Sequence, residues 1–90
     1  MITQELVIKN KTGLHARPAA LWVQTAGRYQ SSIRLVKGER DVDGKSLLGL
    51  LSLGLSAGSV FQLVVSGPDE AAAAEALTAL VAELEQKEEP

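Results

Sequence analysis

The 90-residue sequence contains no cysteine and only one histidine. Without cysteine there can be no disulfide bond and no thiolate metal ligand, and this pattern suits a reducing compartment. A single histidine also disfavours a transition-metal site built by this chain alone. Aromatic residues are scarce as well, with one each of Trp, Tyr and Phe, so no stacking platform for nucleic acid is present. We therefore expect neither a metal protein nor a nucleic-acid-binding protein.

Long apolar runs are also missing. No stretch reaches the roughly 18–20 residues that a membrane-spanning helix requires. The sequence opens on a predicted strand rather than on the apolar segment of a signal peptide. We accordingly expect a cytoplasmic protein with no membrane insertion.

Charge is distributed unevenly along the chain. Residues 1–50 contain eight Lys/Arg and four Asp/Glu, a net charge of +4, whereas residues 51–90 contain one and seven, a net charge of −6; together they make the total of −2. A basic surface formed by the first half would suit acidic protein partners.

The periodicity of apolar residues predicts one small domain over residues 1–90. The predicted strands are 2–9, 32–36, a short one around Val42, and 60–65, and the predicted helices are 16–27, 47–53 and 69–85. This order, βαββαβα, indicates an α+β fold in which helices cover one face of a sheet and water covers the other.

The single histidine, His15, falls where a predicted loop becomes a helix. Pro18 suits the first helical turn, where a missing N–H costs little. The start of a helix offers unpaired N–H groups and the positive end of the helix dipole, which together attract anions. Arg17 adds a permanent charge and a planar set of donors suited to phosphate oxygens.

A lone histidine is more often structural or simply exposed than functional. Two features favour a function here. Gly13 and Ala16 are small, which leaves the ring of His15 approachable. The neighbouring Arg17 opposes protonation of the imidazole, and a neutral imidazole can act as a nucleophile. The pattern suits a residue that carries a phosphoryl group.

A second motif is the leucine-rich helix at 47–53, for which Ser46 is the predicted N-cap. Its five leucines surround too much of the helix for one buried face. Either the helix is buried on both sides, or it exposes an apolar patch for a partner.

Gly44-Lys45-Ser46 imitates the end of a nucleotide-binding P-loop. That motif needs a glycine at position 39, which is Glu39, so the sequence argues against nucleotide binding.

Residues 13–19, with the sequence Gly-Leu-His-Ala-Arg-Pro-Ala, resemble the active-site signature of HPr, the histidine-containing phosphocarrier of the sugar phosphotransferase system. The length agrees, as do residues 44–46 (Gly-Lys-Ser) and 52–54 (Ser-Leu-Gly), so the resemblance covers essentially the whole chain. It implies an open-faced β-sandwich, with a four-stranded antiparallel sheet and three helices on one face.

The resemblance also implies a function. His15 would accept a phosphoryl group on its δ nitrogen from phosphorylated enzyme I and pass it to sugar-specific enzyme IIA domains. Arg17 and the backbone around Ala16 would stabilise the charge. Partners would dock on Leu47, Leu48 and Leu51, with Lys45 beside them. Such a protein is a carrier and not an enzyme, needs no metal or organic cofactor, and is expected to be a monomer.

Residues 45–49 (Lys-Ser-Leu-Leu-Gly) further resemble the branch of the family in which a serine kinase and phosphatase regulate the serine. By this resemblance Ser46 is a regulatory phosphorylation site, and the phosphorylated protein would bind a transcriptional regulator. Leu47 and Leu48 depart from that branch, where methionine often occurs in this helix.

Two alternatives remain open. The chain could be a regulatory or nitrogen-related relative that acts by binding proteins rather than by sugar transport. His15 argues against one such relative, in which this position is no longer histidine. A structural interaction domain with an inert histidine is the other alternative.

Overall fold

The computed structural model describes residues 1–9 and 16–87, with side chains described for 1–9 and 17–84. Its elements are β1 (Ile2–Val7), α1 (Ala16–Ala26), β2 (Ser32–Lys37), β3 (Arg40–Asp43), α2 (Leu47–Leu53), β4 (Val60–Ser66) and α3 (Glu70–Lys87). The predicted order βαββαβα is confirmed. Within the described ranges, no helix is long and apolar enough to cross a bilayer. His15 lies outside the described residues.

β1 ends two residues earlier than predicted, and the reason is local. The N–H of Ile8 donates to the carbonyl of Ser59 (2.9 Å), and Gly58 N–H donates to the carbonyl of Ile8 (2.7 Å). These bonds tie the chain to the turn that leads into β4, so the regular ladder stops at Val7. Ile8 is nevertheless fully buried, on the same side as the buried Leu6.

The four strands form one antiparallel sheet in the order β1-β4-β2-β3. Side chains alternate between its faces, as pleated strands require. In β4 the residues facing the helices are buried, namely Phe61, Leu63 and Val65, while Val60, Gln62 and Val64 are exposed or half-buried. The predicted open-faced α+β fold is therefore confirmed.

Helical spacing predicts that α1 buries Ala19, Trp22, Val23 and Ala26. Ala19, Trp22 and Ala26 are buried in the core, whereas Val23 is half-buried against it. The rings of Trp22 and Phe61 pack edge to face, with centroids 6.0 Å apart and planes inclined at 72°. This contact packs α1 against β4, an inner strand of the sheet.

Helical spacing predicts that α3 buries Ala73, Ala76, Leu77, Leu80, Val81 and Leu84. Four of these six residues are buried, namely Ala73, Leu77, Val81 and Leu84. Ala76 and Leu80 are only half-buried, and Ala74 is buried instead. The helix contacts α1 as well as β1 and β4. Its buried side chains therefore face both the sheet and the neighbouring helix.

The start of α3 is bonded to the loop before β2, through a contact the sequence did not reveal. The carboxylate of Asp69 accepts hydrogen bonds from the backbone N–H groups of Gln30 and Ser31, both at 2.9 Å, and from the Ser31 hydroxyl. The Ser31 hydroxyl, followed by the N–H of Gln30, holds the pKa of Asp69 below its ordinary value. Gly67 is required nearby, since its φ is +152° and a Cβ there would lie 2.6 Å from the Cα of Ser31.

Candidate functional site

Helix α1 begins at Ala16, the residue that follows His15 in the sequence. Pro18 is buried in the first turn, as predicted, whereas Arg17 is exposed. An α-helix leaves its first N–H groups without intrahelical partners. Leu21, one turn after Arg17 on the same face, is 39% exposed. The start of α1 therefore presents backbone donors, a guanidinium and an apolar side chain on accessible surface.

Ser46 is the N-cap of α2, as predicted. Its backbone is extended (φ −107°, ψ 119°), and its hydroxyl accepts a hydrogen bond from the N–H of Gly49 at 3.1 Å. Gly54 ends the helix in the left-handed conformation with φ +64°, which glycine adopts without strain. Both boundaries of this short helix thus follow from residue types visible in the sequence.

Gly44, the residue that invited comparison with a P-loop, has a packing role. It is buried, and its N–H donates to the carbonyl of Ile33 at 2.6 Å. A Cβ at this position would lie 2.5 Å from the side chain of Ile33. The glycine therefore allows the chain after β3 to pass close to β2, which accounts for its presence without a nucleotide.

The leucines of α2 divide into two groups. Leu50 and Leu53 are buried, with 0% and 7% of their surface exposed. Leu47 and Leu51 are each 40% exposed and Leu48 is 80% exposed. Of the two alternatives that the sequence left open, an exposed patch is the one observed. We call Leu47, Leu48 and Leu51 the α2 patch.

Lys45 directly precedes the N-cap of α2, but its ammonium group contacts the segment after α1. Its Nζ donates to the carbonyl of Tyr29 at 2.7 Å, in the segment that follows α1, and the residue is half-buried. Its backbone N–H donates to the carboxylate of Asp43 at 2.9 Å. The ammonium group of Lys45 thus joins the segment after α1 to the start of α2, a contact that the sequence did not predict.

Arg40 contacts α2 in a way that the sequence did not indicate. Its Nη2 donates to the hydroxyl of Ser52 at 3.0 Å, and that hydroxyl donates to the carbonyl of Gly49 at 2.7 Å. The register of β3 could have suggested this placement, because residues 40 and 42 share one face of the strand and Val42 packs against the core. The sequence predicted only a short strand around Val42, without defined ends, so it did not show that residue 40 belongs to the same strand.

The described side chains offer no evident site for a metal ion. Within residues 1–9 and 17–84, no three His, Cys, Asp or Glu residues are grouped in a way that could hold one. Four of the described acidic residues bond to protein groups instead, namely Asp41, Asp43, Asp69 and Glu70. The chemistry available at the described part of the site is that of backbone donors, Arg17 and the Ser46 hydroxyl.

Comparison with known proteins identifies the family. The model of the family described as PTS HPr component phosphorylation site matches residues 2–83, most of the chain. The chain belongs to the HPr family, as the motif around His15 predicts. Proteins of this family are phosphocarriers of the phosphotransferase system and not catalysts.

The relatives include proteins named phosphocarrier protein HPr and proteins named HPr-like protein Crh. The chain is 46% identical over 81 residues to the HPr-like protein Crh of Halalkalibacterium halodurans, covering 90% of this chain and 96% of that protein. It is 44% identical over 80 residues to the phosphocarrier protein HPr of Treponema pallidum, covering 89% and 91%. The crystal structure of HPr-C-His from Thermoanaerobacter tengcongensis superposes with a TM-score of 0.94 at 46% identity, over 99% of this chain and 100% of that one. Solved structures of Crh and HPr include dimers.

Proposed function

We propose that this chain carries a phosphoryl group on His15, received from phosphorylated enzyme I and passed to sugar-specific enzyme IIA domains. The observation that carries the proposal is the position of His15. It directly precedes the first residue of α1, at the helix end that favours negative charge, and it lies within the region matched by the family model. Arg17, two residues on, is exposed and so available to an incoming phosphate.

The proposed chemistry asks little of the protein beyond positioning. The lone pair of the His15 Nδ1 would attack phosphorus, and a nitrogen–phosphorus bond would form as the bond to the donor breaks. Backbone N–H groups at Ala16 and Arg17, together with the Arg17 guanidinium, would then face the oxygens of the phosphoryl group. Phosphoryl transfer is accelerated mainly by such alignment and electrostatic support.

We further propose the α2 patch, with Arg17 and Lys45, as the surface on which both partners dock. Exposed apolar side chains grouped on one helix are a common feature of binding surfaces. The exposure of Leu48 and the packing of α1 against α2 support this assignment, because the patch lies on a helix that contacts the helix beginning directly after His15. The hydrogen bond from Lys45 to Tyr29 makes Lys45 the least available of the proposed docking residues.

Ser46 is proposed as a site of regulatory phosphorylation by a serine kinase, reversed by a phosphatase. The support is its position. It caps α2 at the residue before Leu47, so a phosphate there would lie beside the α2 patch. A phosphate adds a charge of about −1.5 to −2, which the helix N-terminus tolerates but which repels acidic partners. Recruitment of a transcriptional regulator by the phosphorylated form belongs to the same proposal.

A regulatory protein that acts by binding alone is the second candidate. The 46% identity to the HPr-like protein Crh of Bacillus subtilis supports it, because that protein is described as catabolite repression HPr. The two candidates differ in one measurable property, the ability of His15 to take up phosphate. For either candidate we propose a single-domain cytoplasmic monomer.

The deciding experiment is incubation with enzyme I and phosphoenolpyruvate, followed by mass spectrometry for one acid-labile phosphate. We expect the wild-type chain to be phosphorylated, His15→Ala to be inert but folded, and Arg17→Ala to react more slowly, because the backbone donors remain. Undiminished phosphorylation of His15→Ala would overturn the assignment of His15. No phosphate on the wild-type chain would favour the binding-only regulator.

Ser46→Asp tests the regulatory part separately. The substitution keeps an N-cap side chain and adds a negative charge beside the α2 patch. We expect a folded protein that accepts phosphate from enzyme I far more slowly than wild type does. Ser46→Asn provides the matched control, since it also caps a helix but is neutral. Equal rates for the wild-type, Asp and Asn proteins would show that Ser46 acts only as the N-cap of α2.

A further inference from the structure

We propose that Arg40 is a specificity-determining residue of the docking surface, where its guanidinium binds a carboxylate on the acidic partner that covers Leu48. This inference rests on the proposed function, since it assumes that partners dock on the α2 patch. It assigns to Arg40 a role that the sequence motifs gave to Lys45. Four observations about the described residues support it.

The first observation is the position of the guanidinium. Nη2 of Arg40 donates to the hydroxyl of Ser52, 3.0 Å away, near the end of α2. Ser52 lies four residues after Leu48, and residues four apart are neighbours on one face of a helix. Leu48 is 80% exposed. The guanidinium therefore lies beside the most exposed member of the α2 patch.

The second observation is that this side chain is held in place. The Ser52 hydroxyl that accepts from Arg40 itself donates to the carbonyl of Gly49 at 2.7 Å, so its own orientation is fixed by a hydrogen bond within α2. Arginine has five N–H donors, and only one is used in this contact. A guanidinium that is already oriented loses less conformational freedom when it binds a carboxylate with its remaining donors.

The third observation is the local charge. Arg40 pairs across the sheet with Lys37, so two cations lie on the helix side of the strand pair β2–β3. Like charges directly opposite each other are destabilising. Among the described residues, no carboxylate lies within ion-pair distance of either cation. Neither cation is thus ion-paired within the described chain, which leaves both available to an anionic partner.

The fourth observation is the contrast with neighbouring charges. Asp41 alternates to the open face of the sheet, where its carboxylate accepts from Arg34 Nε at 2.8 Å. It is therefore engaged on the other side of the sheet from Arg40. Lys45 donates to Tyr29 and is half-buried. Of the three cations at residues 37–45, Arg40 is the one held directly against α2.

The test measures phosphoryl transfer from phosphorylated enzyme I as a function of the concentration of this chain. Arg40→Gln removes the charge, and Arg34→Gln makes the same change on the open face. We expect Arg40→Gln to raise the apparent KM about three- to tenfold with kcat nearly unchanged, and Arg34→Gln to change KM less than about twofold. The difference should shrink as salt is added, because salt screens exposed charges.

Two further variants separate recognition from a purely structural role. Ser52→Ala keeps the charge of Arg40 but removes the hydroxyl that orients its guanidinium. We therefore expect a smaller rise in KM than for Arg40→Gln. Arg40→Lys keeps the charge and the fold, and should recover part of the lost affinity. Equal effects of Ser52→Ala and Arg40→Gln, independent of salt and accompanied by a lower Tm, would show a structural contact and overturn the proposal.

The outcomes also distinguish this inference from the proposed function. If the wild-type chain receives no phosphate, the proposed function is wrong, and this inference is wrong as well because it depends on that function. If the wild-type chain is phosphorylated and Arg40→Gln matches Arg34→Gln, the carrier function stands and only the role of Arg40 is overturned.

Discussion

Helices α2 and α3 use apolar residues in different ways. The eighteen residues of α3 bury their large side chains along one strip, because the helix contacts α1 and the strands β1 and β4. The seven residues of α2 include five leucines, yet three of these are exposed, because the helix contacts only α1 and β3 to a comparable extent. A large content of leucine therefore does not by itself mean burial. The number of neighbouring elements sets how much of a helix can be covered.

The strongest test of this comparison is within α2 itself. Leu50→Ala should lower the free energy of unfolding by about 2–5 kcal/mol, since it leaves a cavity in a fully buried position. Leu48→Ala should change it by less than about 0.5 kcal/mol, because that side chain is mostly in water. Urea unfolding of both variants measures the two values. Similar losses would mean that Leu48 is packed in solution and that no exposed patch exists.

The next test asks whether the exposed leucines bind a partner. Burying one such side chain contributes roughly 1.5–3 kcal/mol, so Leu48→Asp should weaken binding to enzyme I at least about tenfold. Val60→Asp is the matched control, since Val60 is 46% exposed on the open face of the sheet. Isothermal titration gives the affinities, and amide shifts on adding enzyme I locate the surface. Shifts confined to the open face would contradict the docking model.

A smaller effect is expected at the start of α2. Ser46→Ala removes the acceptor for the N–H of Gly49 and should cost about 1 kcal/mol of stability. Ser46→Asp, which can still cap, should cost less. Thermal unfolding of the two proteins compares them directly. A larger loss for Asp than for Ala would show that a negative charge is not tolerated at this position.

The smallest expected difference concerns the pH dependence of stability, which we compare for Asp69 at the start of α3 and Ser46 at the start of α2. Hydrogen bonds from Ser31 and Gln30 lower the folded-state pKa of Asp69, so its contribution is present above the ordinary pKa of aspartate and is lost as pH falls through the lowered value. Asp69→Asn should therefore be less stable than wild type at neutral pH, with the difference shrinking in acid. The loss caused by Ser46→Ala should not vary in this way, because serine does not titrate in that range. Thermal unfolding at several pH values separates the two.

Residue pattern was enough to predict most of the fold. Alternation in β4, helical spacing in α1 and α3, and the caps Ser46 and Gly54 each depend on residues close together in the chain. The same local reasoning placed His15 before a helix and led to the family. It failed where partners are distant, as for the bonds between Asp69 and Ser31, which are 38 residues apart. Nothing local indicates which N–H groups such a carboxylate will meet.

The candidate site was predicted unevenly for the same reason. Arg17 and Ser46 could be assigned because a helix start has a fixed relation to its own sequence. The exposure of the α2 patch stayed open until the neighbours of α2 were known, and the contact of Arg40 with Ser52 spans twelve residues and two elements. The bond from Lys45 to Tyr29 likewise depends on how α2 packs near the end of α1.

The amino-acid sequence by itself determined the order of the elements, their boundaries to within about two residues, and the family to which the chain belongs. Those properties follow from backbone preferences, periodicity and a motif of adjacent residues. Only the tertiary structure decided which leucines of α2 face water and which cations lie beside them. Exposure and cross-element contacts depend on the packing of helices on a sheet, and this packing joins residues that the chain keeps far apart.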